Sequence, residues 1–567
     1  MAGFSSFRGL VDVIFGYEQD LAYSALLGNG KFNAALAATR FSRLFYPIDV
    51  AHDIRLRLGA YVKDELEWLE PDSVSMKDAV FETKGLQFFI DSTEPVLSIR
   101  LKSQNPVALH WAMRIQCSTN ENSVQFTNGI LAFFKRNTWF GLKAPFTQHA
   151  CGHGLEEQLE RGKLDGSEVA MRDCESAAIL EPNPEIFLAA GDSLKSVTDT
   201  LKRVHYVGFD EMIFRTAESW KGPEGLLKSS AYVLALLQGD TGAVLAAPEF
   251  DPEYRYSGGY GYCWPRDASY VARAYDLLGM ERRSDALLTW LASVGHKGNF
   301  NQRYYLDGTL GPAWSNQIDQ IGAFIWALEQ HHSAYLDSGL LKKLFWSVEE
   351  NARYLVDFLY SPGLTVDLWE ERSGVHAYSC ASIYGGLKSA HRMAEFLGFE
   401  RDNWNDVAEE LKKEFVKLFS EPEEGVFVRT VASDKQDPTP DSSILGIAVP
   451  FGIIEPNDSR MRKTAEALEK ELLGENGMMR YAGDKYPKEG GVWPLCTAWL
   501  SWYYSSIGER EKAEKLLGLV EKSANSFFFL PEQTNPDFSP RWALPLAWSH
   551  SMYLIAKDAL KKTEPKQ

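Results

Sequence analysis

Two adjacent acids follow a tryptophan in the segment TVDLWEERSG, residues 365–374. Glu370 and Glu371 come directly after Trp369, in a polar stretch with a glycine that predicts a loop. Such a pair is common on solvated surfaces, where the tryptophan only anchors the loop. A chemical interpretation is also open, because an apolar wall raises the pKa of one carboxyl and keeps it protonated as a general acid while another carboxylate stays charged.

Further loops in the second half of the chain are rich in aromatic residues, acids and arginine. They contain Tyr260, Trp264, Arg266, Asp267, Trp314, Asp319, Arg480, Trp493 and Glu532. Sugars present apolar C–H faces and hydroxyl rims, so a sugar site needs flat aromatic surfaces beside carboxylates, amides and guanidinium groups. This set therefore predicts a carbohydrate site. Without the other residues, a non-functional interpretation is open: Arg266 and Asp267 could be a structural ion pair at a helix start, and Glu532 could be a solvated loop acid.

The sequence pattern changes near residue 192. From about residue 20 to 190, short apolar runs separated by turn residues predict a β-sandwich, beginning with the hairpin signal Gly28-Asn29-Gly30. The next segment has apolar residues at helical spacing among many charges, which predicts a helical linker. After it, helical segments alternate between more apolar and more charged members. We therefore expect a multidomain β + α protein with a β-sandwich domain, a helical linker and an (α/α)6 barrel, at residues 1–191, 192–222 and 223–567.

Composition and charge limit the classes of partner. The 567 residues are 45% hydrophobic and 24% charged, which is typical of a globular protein with large cores. A formal net charge of −18 disfavours nucleic acid and anionic membranes and favours a neutral or cationic substrate. The first residues have no basic leader, and Asp12 interrupts their apolar run, so the sequence predicts neither a signal peptide nor a membrane span. A cytoplasmic location is expected.

The cysteines indicate free thiols. The sequence has 6 of them, widely spread and without a CxxC pair, which is typical of a reducing compartment. His149, Cys151 and His153 in QHACGHG could offer metal ligands, but their spacing matches no common structural zinc pattern. We expect no metal and no organic cofactor. Two further tryptophans, Trp499 and Trp502, fall on the apolar face of a helix and are predicted to belong to the core.

The motifs, taken in order, resemble those of a known family. GAVLAAPEF, YGYCWPRDASY, VDLWEERSGVHAYS, RYAGDKYPKEGGVWPLC and LPEQTNPDFSPRWALPLAWSH are similar to segments of the glucoamylase-type inverting α-glucosidases of glycoside hydrolase family 15, in its prokaryotic branch. The resemblance covers most of the chain and implies the same order of a β-sandwich, a linker and an (α/α)6 barrel. It also implies attack on chain ends with release of β-D-glucose.

The resemblance implies a role for each matched residue. Glu370 corresponds to the general acid, Glu371 to a ligand of the neighbouring sugar, and Glu532 to the general base. The positions implied to bind sugar are Tyr260, Arg266, Asp267, Trp314, Trp369, Arg480 and Trp493. In an inverting enzyme the acid protonates the glycosidic oxygen while the base activates water on the opposite face, with the carboxyl groups about 6.5–9.5 Å apart. On this interpretation Trp369 is the apolar wall for Glu370, and two carboxyls predict a pH optimum on the acid side of neutrality.

Three functions stay open at this point. The first is a glucoamylase that acts on starch-like α-glucan or malto-oligosaccharide chains from their non-reducing ends. The second is a trehalase that splits α,α-trehalose by the same mechanism, which the family also includes. The third, less favoured because both presumed catalytic acids are present, is a non-catalytic glucan-binding protein. A homo-oligomer is possible, and Asp319 is as open to a structural role as to a binding role.

Overall fold

The computed structural model describes residues 25–563 except for short segments, namely 29–32, 38–39, 46–48, 53, 70–74, 78–79, 84, 114–122, 136–137, 172–173, 220–224, 249–258, 296–297, 364, 400–402, 424, 434 and 488–489. Two compact units are present: Met1–Ser229 with Asn525–Phe527, and Ser230–Ala524 with Phe528–Gln567. The segment before residue 25 and the two residues Asn29 and Gly30 of the predicted hairpin turn lie outside the described residues.

The first unit is built of antiparallel strands. These are β1 (Ala25–Gly28), β2 (Asn33–Ala37), β3 (Arg40–Phe45), β4 (Asp49–His52), β5 (Ile54–Val62), β6 (Glu65–Trp68), β7 (Ser75–Lys77), β8 (Val80–Thr83), β9 (Leu86–Ile90), β10 (Val96–Leu101), β11 (Val107–Met113), β12 (Ser123–Thr127), β13 (Ile130–Lys135), β14 (Thr138–Lys143), β15 (Phe146–Gly152), β16 (Val169–Met171), β17 (Cys174–Leu180) and β18 (Glu185–Gly191). They form a 4-stranded sheet β1-β2-β3-β4, a 9-stranded sheet β16-β12-β13-β14-β18-β10-β9-β8-β7 and a 5-stranded sheet β15-β17-β11-β5-β6.

The two larger sheets pack face to face. Trp111 of β11 and Phe133 of β13 are both fully buried, and their ring centroids lie 3.9 Å apart. Alternate side chains of each strand point to opposite faces of a sheet, so one face of each sheet supplies this core. The predicted β-sandwich is confirmed.

Helices cover the outer faces of the sandwich. The short helix α1 (Leu155–Glu160) packs on the 5-stranded sheet. Two amphipathic helices, α2 (Leu194–Val207) and α3 (Phe209–Ser219), bury Val197, Leu201 and Met212 against residues of the 9-stranded sheet. The segment predicted as a helical linker, residues 192–222, thus contains two helices that pack on the sandwich and are grouped with it.

The second unit is helical. Its α-helices are α4 (Leu226–Leu237), α5 (Pro265–Leu277), α6 (Glu281–Val294), α7 (Asp319–Tyr335), α8 (Ser338–Tyr360), α9 (Ala377–Leu397), α10 (Trp404–Phe419), α11 (Ser459–Leu472), α12 (Pro494–Ser506), α13 (Arg510–Lys522) and α14 (Ala547–Lys561). A 3₁₀-helix (Ser442–Ile447) lies between α10 and α11.

The inner helices close into a ring. Neighbouring members contact one another in the order α5, α7, α9, the 3₁₀-helix, α12 and α14, and α14 returns to α5. The remaining helices pack outside this ring, which confirms the predicted (α/α)6 barrel. Glycine permits the closest approach, because a Cβ at Gly386 of α9 would lie 2.7 Å from the Cα of Gly322 in α7.

Short strand pairs shape the loops between the helices. They are formed by β19 (Val375–His376), β20 (Thr430–Ala432), β21 (Lys435–Asp437), β22 (Leu473–Gly474), β23 (Gly477–Met478), β24 (Gln533–Thr534) and β25 (Pro540–Trp542). The predicted site residues lie in the loops that precede inner helices or in the first turns of those helices. Among the described helices, none has the length and apolar character needed to cross a bilayer.

Candidate active site

The structure brings the ten side chains to which the family resemblance implied catalysis or sugar binding to the wall of one cavity of about 460 Å³ in the helical unit. The predicted members are Tyr260, Arg266, Asp267, Trp314, Trp369, Glu370, Glu371, Arg480, Trp493 and Glu532. The same wall includes Trp264, which was given no specific role from the sequence, and side chains that were not predicted at all, among them Arg303, Tyr486 and Trp548. The cavity thus combines aromatic rings, two arginines in addition to Arg266, and four carboxyls.

The cavity lies at the N-terminal ends of the inner helices. Trp264, Trp493 and Leu546 line it and occupy the N-cap positions of α5, α12 and α14. Proline follows two of these caps, at a position where its fixed φ favours a helix start and its missing N–H costs nothing. Helix N-termini carry partial positive charge, so this end of the barrel favours carboxylates and oxyanions.

Glu370 is held by a tryptophan other than the one that precedes it. The indole Nε1 of Trp264 donates a hydrogen bond to Glu370 Oε1 over 2.8 Å, and Arg266 Nη2 lies 4.0 Å from the same oxygen. Burial raises the pKa of Glu370, while the charge of Arg266 and the indole hydrogen bond oppose this shift. The backbone of Glu370 has a φ of 66°, a left-handed conformation that is strained for a side chain of this kind.

Trp369 has a different partner from the one expected. Its indole Nε1 donates to Asp441 Oδ1 over 2.9 Å, and its ring lies 5.2 Å from the Arg480 guanidinium and 5.8 Å from the ring of Trp493. The hydrogen-bonding indole beside Glu370 is therefore Trp264, whereas Trp369 forms an aromatic wall with Trp493.

Glu371 belongs to a separate ionic cluster. Arg480 Nη2 donates to Glu371 Oε1 over 2.6 Å, and the hydroxyl of Tyr481 donates to Glu371 Oε2 over 2.5 Å. Arg480 is itself fixed by Asp484, which accepts from its Nε and Nη2 over 3.0 and 2.8 Å. A carboxylate has about four lone-pair sites, so Glu371 retains acceptor capacity toward the cavity. The two adjacent acids thus have distinct surroundings.

A chain of hydrogen bonds ends on Glu532. The hydroxyl of Tyr260 donates to Glu532 Oε2 over 2.7 Å, the hydroxyl of Tyr486 lies 2.7 Å from that of Tyr260, and Trp542 Nε1 donates to the Tyr486 oxygen over 3.2 Å. An indole N–H can only donate. Its bond to the Tyr486 oxygen favours donation of the Tyr486 proton to Tyr260, whose own proton is then directed at the carboxylate. We call this chain the Trp542 relay.

The surroundings of Glu532 have opposite effects on the pKa of its carboxyl. Burial raises the pKa of Glu532 to about 8, whereas the hydrogen bond from Tyr260 and the charge of Arg480 lower it. The backbone is fixed as well, because the amide of Glu532 donates to the carbonyls of Trp542 and Ala543 over 3.1 and 2.9 Å. The Trp542 relay thus holds Oε2, the backbone bonds fix the residue that carries it, and the side chain lines the cavity.

Arg266 and Asp267 lie in the first turn of α5. Arg266 Nε lies 3.2 Å from Asp267 Oδ1, and Arg266 Nη1 lies 3.4 Å from Asp319 Oδ2. Burial raises the pKa of Asp267 to about 6. Asp319 is fully buried and is absent from the cavity wall, so its contact with Arg266 indicates a positioning role.

The possible metal ligands in QHACGHG do not gather into a site. His149 stacks on Phe126, with ring centroids 3.4 Å apart, and Cys151 is buried in the sandwich. Within the part of the chain that the structure describes, no three His, Cys, Asp or Glu side chains are grouped so as to hold a metal ion. The sugar site likewise offers carboxylates that are engaged by arginine, tyrosine and tryptophan donors.

Comparison with known proteins shows that part of the chain is similar to glycosyl hydrolases. Residues 296–533 match the family model described as "Glycosyl hydrolases family 15". An uncharacterized glycosyl hydrolase of Methanocaldococcus jannaschii is 34% identical over 351 residues, or 58% of this chain and 55% of that protein. Isomaltose glucohydrolase of Kribbella flavida is 28% identical, covering 60% of this chain and 94% of that one. Trehalase 2 of Sulfolobus acidocaldarius is 25% identical, covering 58% and 62%.

A solved structure has the same fold over nearly the whole chain. A bacterial glucoamylase complexed with acarbose superposes with a TM-score of 0.79 and 18% identity, covering 96% of this chain and 94% of that one. At this identity the likeness shows that the two chains share a fold. Residues 296–533 carry the match to glycosyl hydrolases family 15, and the chain spans only about half the length of its Methanocaldococcus relative.

Proposed function

We propose that this protein is an exo-acting, inverting α-glucoside hydrolase of the glucoamylase type, which releases β-D-glucose from the non-reducing ends of malto-oligosaccharides or starch-like chains. One observation carries the proposal: two carboxyls, the partly buried Glu370 and the buried Glu532, line the same cavity and have different sets of hydrogen-bond donors. Two carboxyls with distinct surroundings are what acid and base roles require in glycoside hydrolysis.

Glu370 is the general acid in this mechanism. Burial raises its pKa, which favours the protonated form before the reaction. Trp264 occupies Oε1 as a donor, so the proton is carried by Oε2 and passes from there to the glycosidic oxygen. As the bond breaks, the charge left on Glu370 is stabilised by the Trp264 N–H and by Arg266.

Glu532 is the general base. The Trp542 relay directs a hydroxyl proton at Oε2, which supports the ionised carboxylate and leaves Oε1 to accept a proton from water. The water attacks the anomeric carbon on the face opposite the departing oxygen, which inverts the configuration. Tyr260, beside this carboxylate, also lies next to the position where positive charge develops on the sugar ring.

The remaining wall binds the sugars. Arg266 and Asp267 offer donors and acceptors to the hydroxyls of the terminal glucose. Trp369 and Trp493 provide an aromatic surface, and the cluster of Arg480 and Glu371 grips the next sugar. Trp314 is 54% exposed and lies at the mouth, where a longer chain would leave the cavity. A cavity at one end of a closed ring of helices accepts a chain end and not the middle of a chain.

A trehalase is the second candidate. It is supported by the relative named Trehalase 2, and the proposed catalytic carboxyls serve trehalose equally well. Purified enzyme assayed in parallel on maltotriose, isomaltose and trehalose separates the two. We expect kcat/KM for maltotriose to exceed that for trehalose by at least about tenfold, an interaction difference of about 1.4 kcal/mol in the transition state. A reversed preference would indicate a trehalase, and hydrolysis of none of the three would refute both.

We also propose a cytoplasmic location. Cys263, Cys380 and Cys496 are buried free thiols, which is compatible with a reducing compartment. Fractionation of the native host with antibodies against the protein tests this proposal.

A further inference from the structure

A second cavity, of about 420 Å³, lies toward the C-terminal ends of the inner helices α5, α7, α12 and α14. The candidate active site adjoins the opposite ends of these helices. The volume falls within the range of small-molecule sites, about 300–1,000 Å³. Its wall includes Arg273, Trp326, Trp502, Asp558 and Lys562.

Two indoles supply apolar surface in this second cavity. Trp326 of α7 is 5% exposed, and Trp502 of α12 is half-buried. The sequence predicted that Trp499 and Trp502 both belong to the core. Trp499 is fully buried and donates to the carbonyl of Val449, but Trp502 lies nearly a full turn closer to the end of α12 and lines the cavity instead.

Charged side chains stand beside the two indoles. Lys562 Nζ lies 2.8 Å from Asp558 Oδ2. Arg273 is half-buried and forms no hydrogen bond or ion pair with any residue that the structure describes. The hydroxyls of Ser505 and Ser506 also line the cavity; they donate to the carbonyls of Ser501 and Tyr503, and their oxygens can accept. The wall thus offers strong donors and strong acceptors together.

This combination selects a class of ligand. Partial negative charge at helix C-termini, together with Asp558, disfavours an anion. Arg273 and Lys562 disfavour a cation. A hydroxyl group both donates and accepts, and a sugar ring adds C–H faces that fit against indoles. We propose that the second cavity is a carbohydrate-binding site for a neutral mono- or disaccharide, separate from the catalytic cavity.

The two cavities are divided by a layer of buried rings. Tyr270 is fully buried, and its ring lies 5.5 Å from that of Trp326 on one side and 5.6 Å from that of Trp548 on the other. Trp548 lines the catalytic cavity. A saccharide bound at the second site therefore adds to the stoichiometry and does not replace one at the first.

Counting the sites tests the proposal. The full chain carrying Glu370→Gln is titrated with maltose by calorimetry and by ligand-observed NMR. We expect two sites in this protein and one after Trp502→Ala is added. The matched control is Trp346→Ala, which removes a tryptophan that is 48% exposed and lies outside both cavities, and it should retain two sites.

Further variants keep the test decisive. If Trp502→Ala fails to fold, Arg273→Gln should weaken the second site at least about tenfold, because a hydrogen bond from a charged group contributes about 1.5–3 kcal/mol. A single site in every variant would overturn the proposal, and so would competition by inorganic phosphate, which would indicate an anion site. Hydrolysis of maltotriose by the wild-type chain, prepared in parallel, is independent of this count, so a failure of the catalytic proposal is recognised separately.

Discussion

The indole N–H of Trp264 lies 2.8 Å from Oε1 of Glu370, across 106 residues of sequence. This hydrogen bond stabilises the ionised carboxylate and lowers its pKa against the larger effect of burial. Trp264→Phe should therefore raise the pKa of Glu370 and move the alkaline limb of the kcat profile to higher pH. A loss of kcat of about tenfold is expected, because the developing anion loses a donor worth about 1.5–3 kcal/mol. Trp346→Phe is the control, and an unmoved alkaline limb would contradict the role of Trp264.

The Trp542 relay should affect the acid limb of the pH profile, which follows the ionisation of Glu532. Tyr486→Phe removes the donor to Tyr260, so Tyr260 becomes a weaker donor and the pKa of Glu532 rises. The acid limb of kcat/KM should move to higher pH, with activity partly regained as the pH is raised. Tyr275→Phe is a matched control, because the buried Tyr275 hydroxyl donates instead to the carbonyl of Leu234 over 2.7 Å. Equal loss of activity at every pH in Tyr486→Phe would indicate a purely structural role.

Substitutions of the adjacent acids Glu370 and Glu371 should have different effects on kcat and KM. Glu370→Gln removes the proton donor with little change of shape, so kcat should fall roughly 10²–10⁴-fold while KM stays close to that of the wild type. Glu371→Gln leaves the Tyr481 hydroxyl without a charged acceptor and leaves Arg480 with Asp484 alone, so KM should rise and kcat should fall together. If Glu371→Gln proves much the more damaging of the two substitutions, the assigned roles are reversed.

Burial of Glu532 predicts a pH-dependent stability. Its pKa is about 8 in the folded protein and about 4.3 for an ordinary glutamate. The folded state thus holds this proton more tightly, so the contribution of Glu532 to stability is complete below about pH 4 and is lost as the pH rises toward 8. Glu532→Gln cannot ionise. Its Tm should exceed that of the wild type by a margin that grows from pH 4.5 to pH 8.

Thermal melts across this range measure that margin. Glu511→Gln, on the exposed surface of α13, serves as the control and should shift Tm by little at any pH. A constant difference between Glu532→Gln and the wild type would contradict the raised pKa. The acid limb of the pH–activity profile follows the ionisation of Glu532, so a pKa of about 8 moves this limb toward neutrality. The pH optimum then lies above the acid-side value expected from two ordinary carboxyls.

The site residues could be predicted because they lie in short segments of distinctive composition. Arg266, Asp267 and Trp493 occur at proline-marked helix starts, and Glu532 follows an apolar run with a proline directly before it. Local sequence does not determine which indole meets which acid. The partner of Glu370 is Trp264 and the partner of Trp369 is Asp441, and both contacts join distant loops of the barrel.

Other features of the structure could not be predicted from the local sequence. Arg303 lies 4.5 Å from the ring of Tyr262 and 4.6 Å from that of Trp314, but its neighbours in the sequence, NFNQRYY, show no pattern that predicts a site. The amphipathic pattern of residues 192–222 predicted helices correctly, yet an apolar face does not reveal which surface covers it. Here that surface is the 9-stranded sheet.

The configuration of the first glucose released tests the central claim most directly. Proton NMR in the first minutes of hydrolysis of maltotriose, before mutarotation, separates the two anomers of the product. If Glu532 activates water on the face opposite Glu370, the glucose cut from the non-reducing end is β, and the α anomer accumulates only later. Initial release of α-glucose would mean a retaining double displacement and would contradict the roles assigned to both carboxyls.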